Sequence, residues 1–344
     1  MLEYVSRADK AAWRGLRALG IAIVCGLLAC APQDIAGARG VPSPTGVQPV
    51  PTPTPLPLAP WFLGQTPTWV LSDVRGVLLF SQSATAYRVA PDGVAPQPVL
   101  SFPDRPYAVK LSPDGTRVAT LHFDQISEVL CVAQTGGGGR RCVRHQGGGR
   151  NALAWRPDGL ALALGGSASA NNGTSRLYLL DPLALEWKML LPDNGKGGTQ
   201  SVSFMPDGSA ISFVENSQLW RMPMNGSGGP QMQPGFESLR NLWAAHWSPD
   251  GRSIALLSWN TDDHTLSVAN ADGSNHRVLL RVPHIPNSYG QLLDRPVWSP
   301  DGEWLGLSLG DCLVEPCAER MVIVSVAGKG SRILSHEGLL HDWR

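Results

Sequence analysis

The chain has no excess charge of either sign, since Lys plus Arg and Asp plus Glu both number 28. Without a net field it has no long-range pull on a phosphate backbone or a charged membrane, which excludes charge-driven nucleic-acid binding. Charge is also scarce, at 16% of residues against 43% hydrophobic, which excludes a disordered chain and predicts a well-filled core. The apolar run from Ala18 to Ala31 falls short of the roughly 20 residues a membrane-spanning helix needs. Phe and Tyr are few, seven and five, yet there are twelve Trp, an imbalance that a repeat explains below. Gly and Pro are plentiful, 38 and 29, as in proteins built from short strands and tight turns.

The first 29 residues are predicted to be a targeting segment. Arg7, Lys10, Arg14 and Arg17 precede the apolar run, giving the two regions of a secretory signal. The run ends in Leu27-Leu28-Ala29-Cys30, which resembles the lipobox of bacterial lipoproteins. That resemblance implies cleavage after the small Ala29 and a lipid on the Cys30 thiol; the alternatives are an uncleaved anchor or a plain cleaved signal. Cys25 is the poorer candidate because the branched Val24 precedes it. Removal of 1–29 leaves 24 basic and 26 acidic residues, still close to neutral. Residues 30–68 then read as a linker. The stretch 49–57, PVPTPTPLP, predicts a semi-rigid polyproline II spacer of ~3.1 Å per residue. The alternative is a ligand for a proline-recognition module.

From residue 69 onward one pattern recurs. An apolar strand runs into Pro-Asp-Gly and a second apolar strand follows: VKLSPDGTRVATL (109–121), LAWRPDGLALAL (153–164), VSFMPDGSAISFV (202–214), AHWSPDGRSIALL (245–257) and PVWSPDGEWLGLS (296–308). The Asp-to-Asp spacings are 44, 49, 43 and 51, a period that belongs to solenoids and propellers. Pro presets φ, Asp caps the turn, and Gly takes the positive φ. Two more strand-like runs follow each hairpin, such as SRLYLLD and EWKMLL or HTLSVAN and HRVLLRV. Four strands per unit make a propeller blade. Leu111, Trp155, Phe204, Trp247 and Trp298 share the position two before Pro, suited to packing between blades.

Residues 69–102 hold three strand-like runs, so Asp92-Gly93 reads as the turn between the third and fourth strands of a blade that lacks its first. The C-terminal GLLHDWR, 338–344, supplies it, with Trp343 at the aromatic position. The expectation is an all-β fold over 69–344: a six-bladed propeller of four-stranded antiparallel blades, closed by the C-terminal strand, with no free edge in the ring.

These W-S-P-D-G copies resemble the TolB-type propeller repeat, a WD-repeat-like family, over residues 69–344. The resemblance implies an extracytoplasmic binding platform, often for proteins, with peptides or small ligands entering the central tunnel. TolB itself carries a folded α/β domain ahead of its propeller, where this chain has a Pro-rich linker. The same repeat occurs in the propeller half of prolyl-oligopeptidase-like enzymes, so a hydrolase or lyase with an active site at the tunnel mouth is the alternative. Gly306-Leu307-Ser308-Leu309-Gly310 matches G-x-S-x-G, but a nucleophile elbow needs a strand–turn–helix context. Ser308 instead falls inside a strand and reads as part of a tightly packed run of small residues. No catalytic residue, metal or cofactor is expected. Thr261-Asp262-Asp263-His264 reads as a solvated loop, and the glycine runs 136–139 and 147–149 lack the ending of a phosphate loop.

Four Cys lie beyond the leader. Cys131 and Cys142 fall almost symmetrically about Gly136-Gly137 on the last two strands of blade two, and Cys312 and Cys317 enclose a short loop in blade six. Two close pairs with no odd thiol predict disulfides in an oxidising compartment, against the alternative of reduced thiols or a metal site. Loops leading into the innermost strands ring one mouth of the tunnel. This places Arg105, Tyr107, Arg150, Asn151, Gln200, Arg240, Asn241 and Arg295 there, joined by His341 and Asp342 of the last strand. Such a set suits a carboxylate or a peptide's acidic end, against a simple solvated loop surface. Expected partners are the membrane, through the lipid on Cys30, and another envelope or extracellular protein or peptide.

Overall fold

The structure, a computed structural model, describes residues 69–344 apart from 94, 103–104, 125–126, 146–151, 168–174, 192–197, 226–227, 284–290, 293–294 and 312–317. The expected leader and linker lie outside the described residues, as do Cys30, Arg150, Asn151, Cys312 and Cys317.

The folding unit is the Pro-Asp-Gly hairpin. In all five copies the Asp carboxylate accepts the N–H two residues on, at Thr116, Leu160, Ser209, Arg252 and Glu303, over 2.9–3.1 Å. The Gly that follows sits at φ of 69–72°, where a Cβ is penalised. Three copies add a second lock. Ser112, Ser248 and Ser299 each donate a hydroxyl to that Asp at 2.5–2.6 Å and accept the N–H five residues on at 2.9 Å. Hydrogen bonds to the ionised form, first from Ser112 and then from Thr116, hold Asp114 down to about 2.

Six antiparallel sheets result. From inner to outer strand, blade one is Leu339–Trp343, Leu78–Gln82, Thr85–Val89 and Gln97–Ser101. Blade two is Ala108–Leu111, Arg117–Phe123, Glu128–Gln134 and Arg141–His145. Blade three is Ala152–Trp155, Leu162–Ser167, Ser175–Leu180 and Trp187–Leu191. Blade four is Thr199–Phe204, Ala210–Glu215, Gln218–Pro223 and Gln231–Met232. Blade five is Leu242–Trp247, Ser253–Trp259, Asp263–Asn270 and Arg277–Pro283. Blade six places Gln291–Leu292 and Val297–Trp298 against Trp304–Asp311, followed by Ala318–Ser325 and Ser331–Glu337. Asp92-Gly93 is the expected turn in blade one. Asp263 and His264, expected in a loop, begin a strand of blade five, because Asp263 pairs across to Pro283 and His264 to Val282.

Blade six departs from the uniform pattern. Its inner edge pairs at Gln291–Leu292 and again at Val297–Trp298, with Leu292 opposite Leu309 and Val297 opposite Gly306, so the register shifts by two residues between the two pairings. Pro296 has no N–H to give the ladder, and the strand bulges there.

The core lies between blades rather than within any one of them. Each of six buried clusters among the described residues joins two neighbours, as Leu79 and Ala86 of blade one meet Val109, Val118 and Ala133 of blade two. The repeat's tryptophans staple the same seams. Trp155 donates its indole N–H to the Lys110 carbonyl of the preceding blade at 2.9 Å, and Trp298 to the His246 carbonyl at 2.8 Å. Trp247 reaches the equivalent carbonyl, that of Ser203, through the Ser212 hydroxyl, over 2.8 and 3.3 Å. At these three seams a tryptophan thus both fills volume and satisfies a polar group.

The C-terminal strand closes the ring as expected, pairing antiparallel with Leu78–Gln82. Trp343 gives its indole N–H to the Arg75 carbonyl at 2.9 Å, and Ser308 Oγ accepts the Leu340 N–H at 2.6 Å. At Gly306 a Cβ would stand 2.5 Å from Leu340 Cδ2. The small residues of the G-x-S-x-G run therefore make room for the closing strand.

Candidate functional site

Strand direction decides which groups reach the tunnel mouth. First and third strands start at one face, second strands end there, and the Pro-Asp-Gly turns all lie at the other face. Arg105 precedes the inner strand of blade two, and its guanidinium pairs with Glu319 at the start of a blade-six strand. That contact bridges past blade one. Arg295 sits in the blade-six bulge and donates from Nε and Nη2 to the Gln200 carbonyl of blade four, at 3.2 and 2.6 Å. That contact bridges past blade five. Bulging at Pro296 releases Arg295 from the ladder and lets it make this reach.

Deeper in, Lys110 donates its ammonium to the His341 carbonyl. His341 is 1% exposed, and its Nε2 lies 2.7 Å from Ser81 Oγ. Burial, then the charges of Lys110 and Arg105, push its imidazole down to about 3. Burial with Lys110 and Arg295 likewise pushes His246 well below its ordinary value, and its Nε2 lies 3.4 Å from Ser201 Oγ. Both rings are neutral at physiological pH because burial, and then two nearby cations, disfavour the charged form. Asp342 answers part of this charge, accepting the Leu111 N–H at 3.2 Å and Arg344 Nε at 3.1 Å.

Of the expected mouth residues, Arg105, Gln200, Arg295, His341 and Asp342 thus each take part in a hydrogen bond from one blade to another. Tyr107 is half-buried beside Phe123, ring centroids 5.9 Å apart. Its hydroxyl and Gln200 Oε1 are buried without a hydrogen-bond partner among the described residues, a costly state unless another group completes them. Arg240 is exposed but bends back onto its own turn, donating to the carbonyls of Glu237 and Leu239 at 2.6 and 2.9 Å. Asn241 is exposed at φ 55°.

Sequence reasoning missed Lys110, His246 and Glu319. Lys110 and His246 share the place just before the aromatic position, where the other copies have Ala154, Ser203, Val297 and Asp342, so aligning the repeats would have revealed them. Glu319 carries no such signal. Two exposed tryptophans on blade five were missed as well: Trp243, 39% exposed at a bulge, and Trp259, 47% exposed at the end of the neighbouring strand. The mouth can therefore offer fixed cations, unmatched polar atoms and aromatic surface. Among the described residues, no group of three or more His, Cys, Asp or Glu could hold a metal ion. None of the described helices is long and apolar enough to cross a membrane.

Residues 80–337 match the family described as the TolB beta propeller domain. Among solved structures, TolB from Acinetobacter baumannii is similar at 19% identity and a TM-score of 0.61, over 78% of this chain and 65% of that one. A putative TolB from Agrobacterium tumefaciens is similar at 22% identity and a TM-score of 0.52, over 70% and 87%. Uncharacterized protein Atu1656 of Agrobacterium fabrum is 25% identical over 210 residues, 56% of this chain and 66% of its own length. Uncharacterized peptidase YuxL of Bacillus subtilis is 28% identical over 121 residues, 31% of this chain and 17% of its own. The chain thus spans just under two thirds of the first of these curated relatives and under a fifth of the second.

Proposed function

The chain belongs to the TolB beta-propeller domain family, and from that premise we propose that it is an extracytoplasmic, lipid-anchored platform that binds a carboxylate-bearing protein or peptide at the tunnel mouth. The observation that carries this reading is the pair of arginines held across the mouth, Arg105 to Glu319 and Arg295 to Gln200, above Lys110. Fixed guanidinium forks suit carboxylate recognition because their donors are already oriented. Exposed aromatic surface at Trp243 and Trp259 supplies the apolar contact that dominates binding energy at protein interfaces. The leader, the Cys30 lipobox and the Pro-rich spacer support an anchor with reach. The Cys131–Cys142 bond fits an oxidising compartment.

A catalytic role for Ser308 forms no part of this reading. The residue is fully buried, and its hydroxyl oxygen is engaged by the Leu340 N–H. The peptidase in the name of one relative describes a protein of which this chain spans 17%.

Binding is tested by isothermal titration of an acidic-tailed peptide library against the wild type and the Arg105→Gln plus Arg295→Gln variant. Selection of carboxylate-ended peptides, with a loss of about tenfold or more in the variant, supports the proposal. Equal retention of neutral-ended peptides overturns it. The anchor is tested separately by mass spectrometry of the membrane fraction: diacylglyceryl-modified Cys30 supports it, and residues 1–29 still attached refute it.

A further inference from the structure

Away from the mouth, the outer half of blade two holds a cleft of about 440 Å³. Its lining includes His122, Asp124, Arg140, Cys142 and Arg144. Asp124 is already paired with Arg144 at 2.8 Å and accepts the Ser127 N–H at 3.0 Å. The cleft is therefore cationic in balance, with Arg140 and Arg144 against one engaged carboxylate.

The disulfide is set asymmetrically in this cleft. Cys131 and Cys142 face each other directly across the last two strands. Cys131 is 1% exposed, whereas Cys142 is exposed and lines the cleft. Arg140 Nη2 stands 3.7 Å from Cys131 Sγ, and its guanidinium lies over the Phe102 ring at 5.8 Å. One sulfur is thus open to attack from the cleft, and the buried one has a cation beside it.

We propose that Cys142 is a thiol-exchange site for small anionic thiols. A thiolate enters the cleft and attacks Cys142 Sγ. A new S–S bond forms there as the Cys131–Cys142 bond breaks, and Cys131 leaves with the electron pair as a thiolate. The incoming thiol is oxidised to the mixed disulfide, and Cys131 is reduced. Arg140 stabilises the departing thiolate, and a more stable leaving thiolate departs faster. A second thiolate of the same class then attacks the outer sulfur, releasing the small-molecule disulfide and leaving Cys142 as a thiolate. Carboxylates on the thiol are drawn in by Arg140 and Arg144. The exchange removes the covalent tie on Arg141–His145, the outermost strand of blade two, so adduct formation marks the state of that edge.

The test uses the full chain purified without reductant. Mercaptosuccinate, 2-mercaptoethanol and cysteamine are supplied at matched thiolate concentration, and adducts are located by peptide mass mapping. The expected result is a mixed disulfide on Cys142 and none on Cys131, with mercaptosuccinate reacting about tenfold faster than cysteamine at low salt. Arg140→Gln and Arg144→Gln should each shrink that preference. Adducts that form only in urea, that appear on Cys131, or whose rates ignore thiol charge overturn the proposal. Should either arginine variant fail to fold, the charge series on the unaltered protein decides alone.

Discussion

The two faces of the ring are built on opposite rules. At the Pro-Asp-Gly face each of the five copies spends its polar groups in the same way: Asp to the N–H two residues on and, where Ser is present, Ser to Asp. At the mouth the described residues differ from blade to blade. Blade two offers Arg105, blade five an exposed Trp243, and blade six Arg295 beside Pro296. Sameness at one face is what a hairpin needs to turn five times, since every copy solves one backbone problem. Difference at the other face is what a surface needs to prefer one partner, since specificity lies in particular groups and not in the fold.

The largest expected effect comes from opening the ring where both faces depend on it. Deletion of residues 338–344 removes Leu340 and Trp343, 1% and 4% exposed, and bares the inner edge of Leu78–Gln82. Burial of those two side chains amounts to roughly 3–6 kcal/mol, comparable with the whole margin of a folded domain. The truncated protein should lose its single cooperative melting transition. If it melts at the wild-type temperature, the closing strand is dispensable and both faces are held by something else.

The repeated face was legible in the sequence and the variable one only in part, for a physical reason. Pro-Asp-Gly specifies a turn through φ limits and one short side chain, so five copies at regular spacing revealed the hairpins, the blade count and Trp343 as the missing aromatic. The opposed Cys131 and Cys142 followed from symmetry about a glycine turn. Nothing local announces that Arg295 reaches Gln200 or that Arg105 reaches Glu319, because these partners are brought together by the curvature of the ring. The break in the blade-six strand was present as Pro296, but the surrounding VWSPDG run reads as an ordinary copy. Trp243, within LWAAHW, reads as one more strand residue, and only the bulge turns it outward.

Acid should weaken the molecule through the mouth before it reaches the turns. His341 titrates at about 3 in the fold against 6.5 for the free side chain, so between these values the unfolded chain binds the extra proton. Stability is therefore full above pH 6.5 and falls as pH drops toward 3, by about 2 kcal/mol between pH 8 and pH 5 for this residue alone. His246 adds to the fall in the same sense, its value being lowered too. The turn carboxylates, lowered at Asp114, Asp207 and Asp250, lose their contribution only below about pH 4. Urea midpoints measured from pH 8 to pH 5 should decline in the wild type and decline less steeply in His341→Gln. A parallel decline in both would remove His341 from the account.

Smaller still is the effect that sharpens the sameness of the turn face. Ser112→Ala, Ser248→Ala and Ser299→Ala each leave one N–H, that of Arg117, Ser253 or Trp304, without its side-chain acceptor. Each should cost about 1–2 kcal/mol, and the three values should agree within about 0.5 kcal/mol, the usual scatter for independent sites. Chemical denaturation of the three variants reads this directly, and a spread of several kcal/mol would mean that the turns are not interchangeable.

The smallest stability effect belongs to the mouth. Arg295 is half-buried and gives two hydrogen bonds to a single carbonyl. Arg295 belongs to none of the buried apolar clusters, so Arg295→Gln should change stability by no more than about 0.5 kcal/mol, as for most substitutions away from the core. Binding of a carboxylate-ended peptide should nonetheless weaken about tenfold, because the proposed site loses one of its two guanidinium groups. Denaturation and titration on the same preparation separate the two quantities. A variant that unfolds easily yet binds normally would reverse the assignment, making Arg295 a strut between blades four and six and leaving recognition to Arg105 and Lys110.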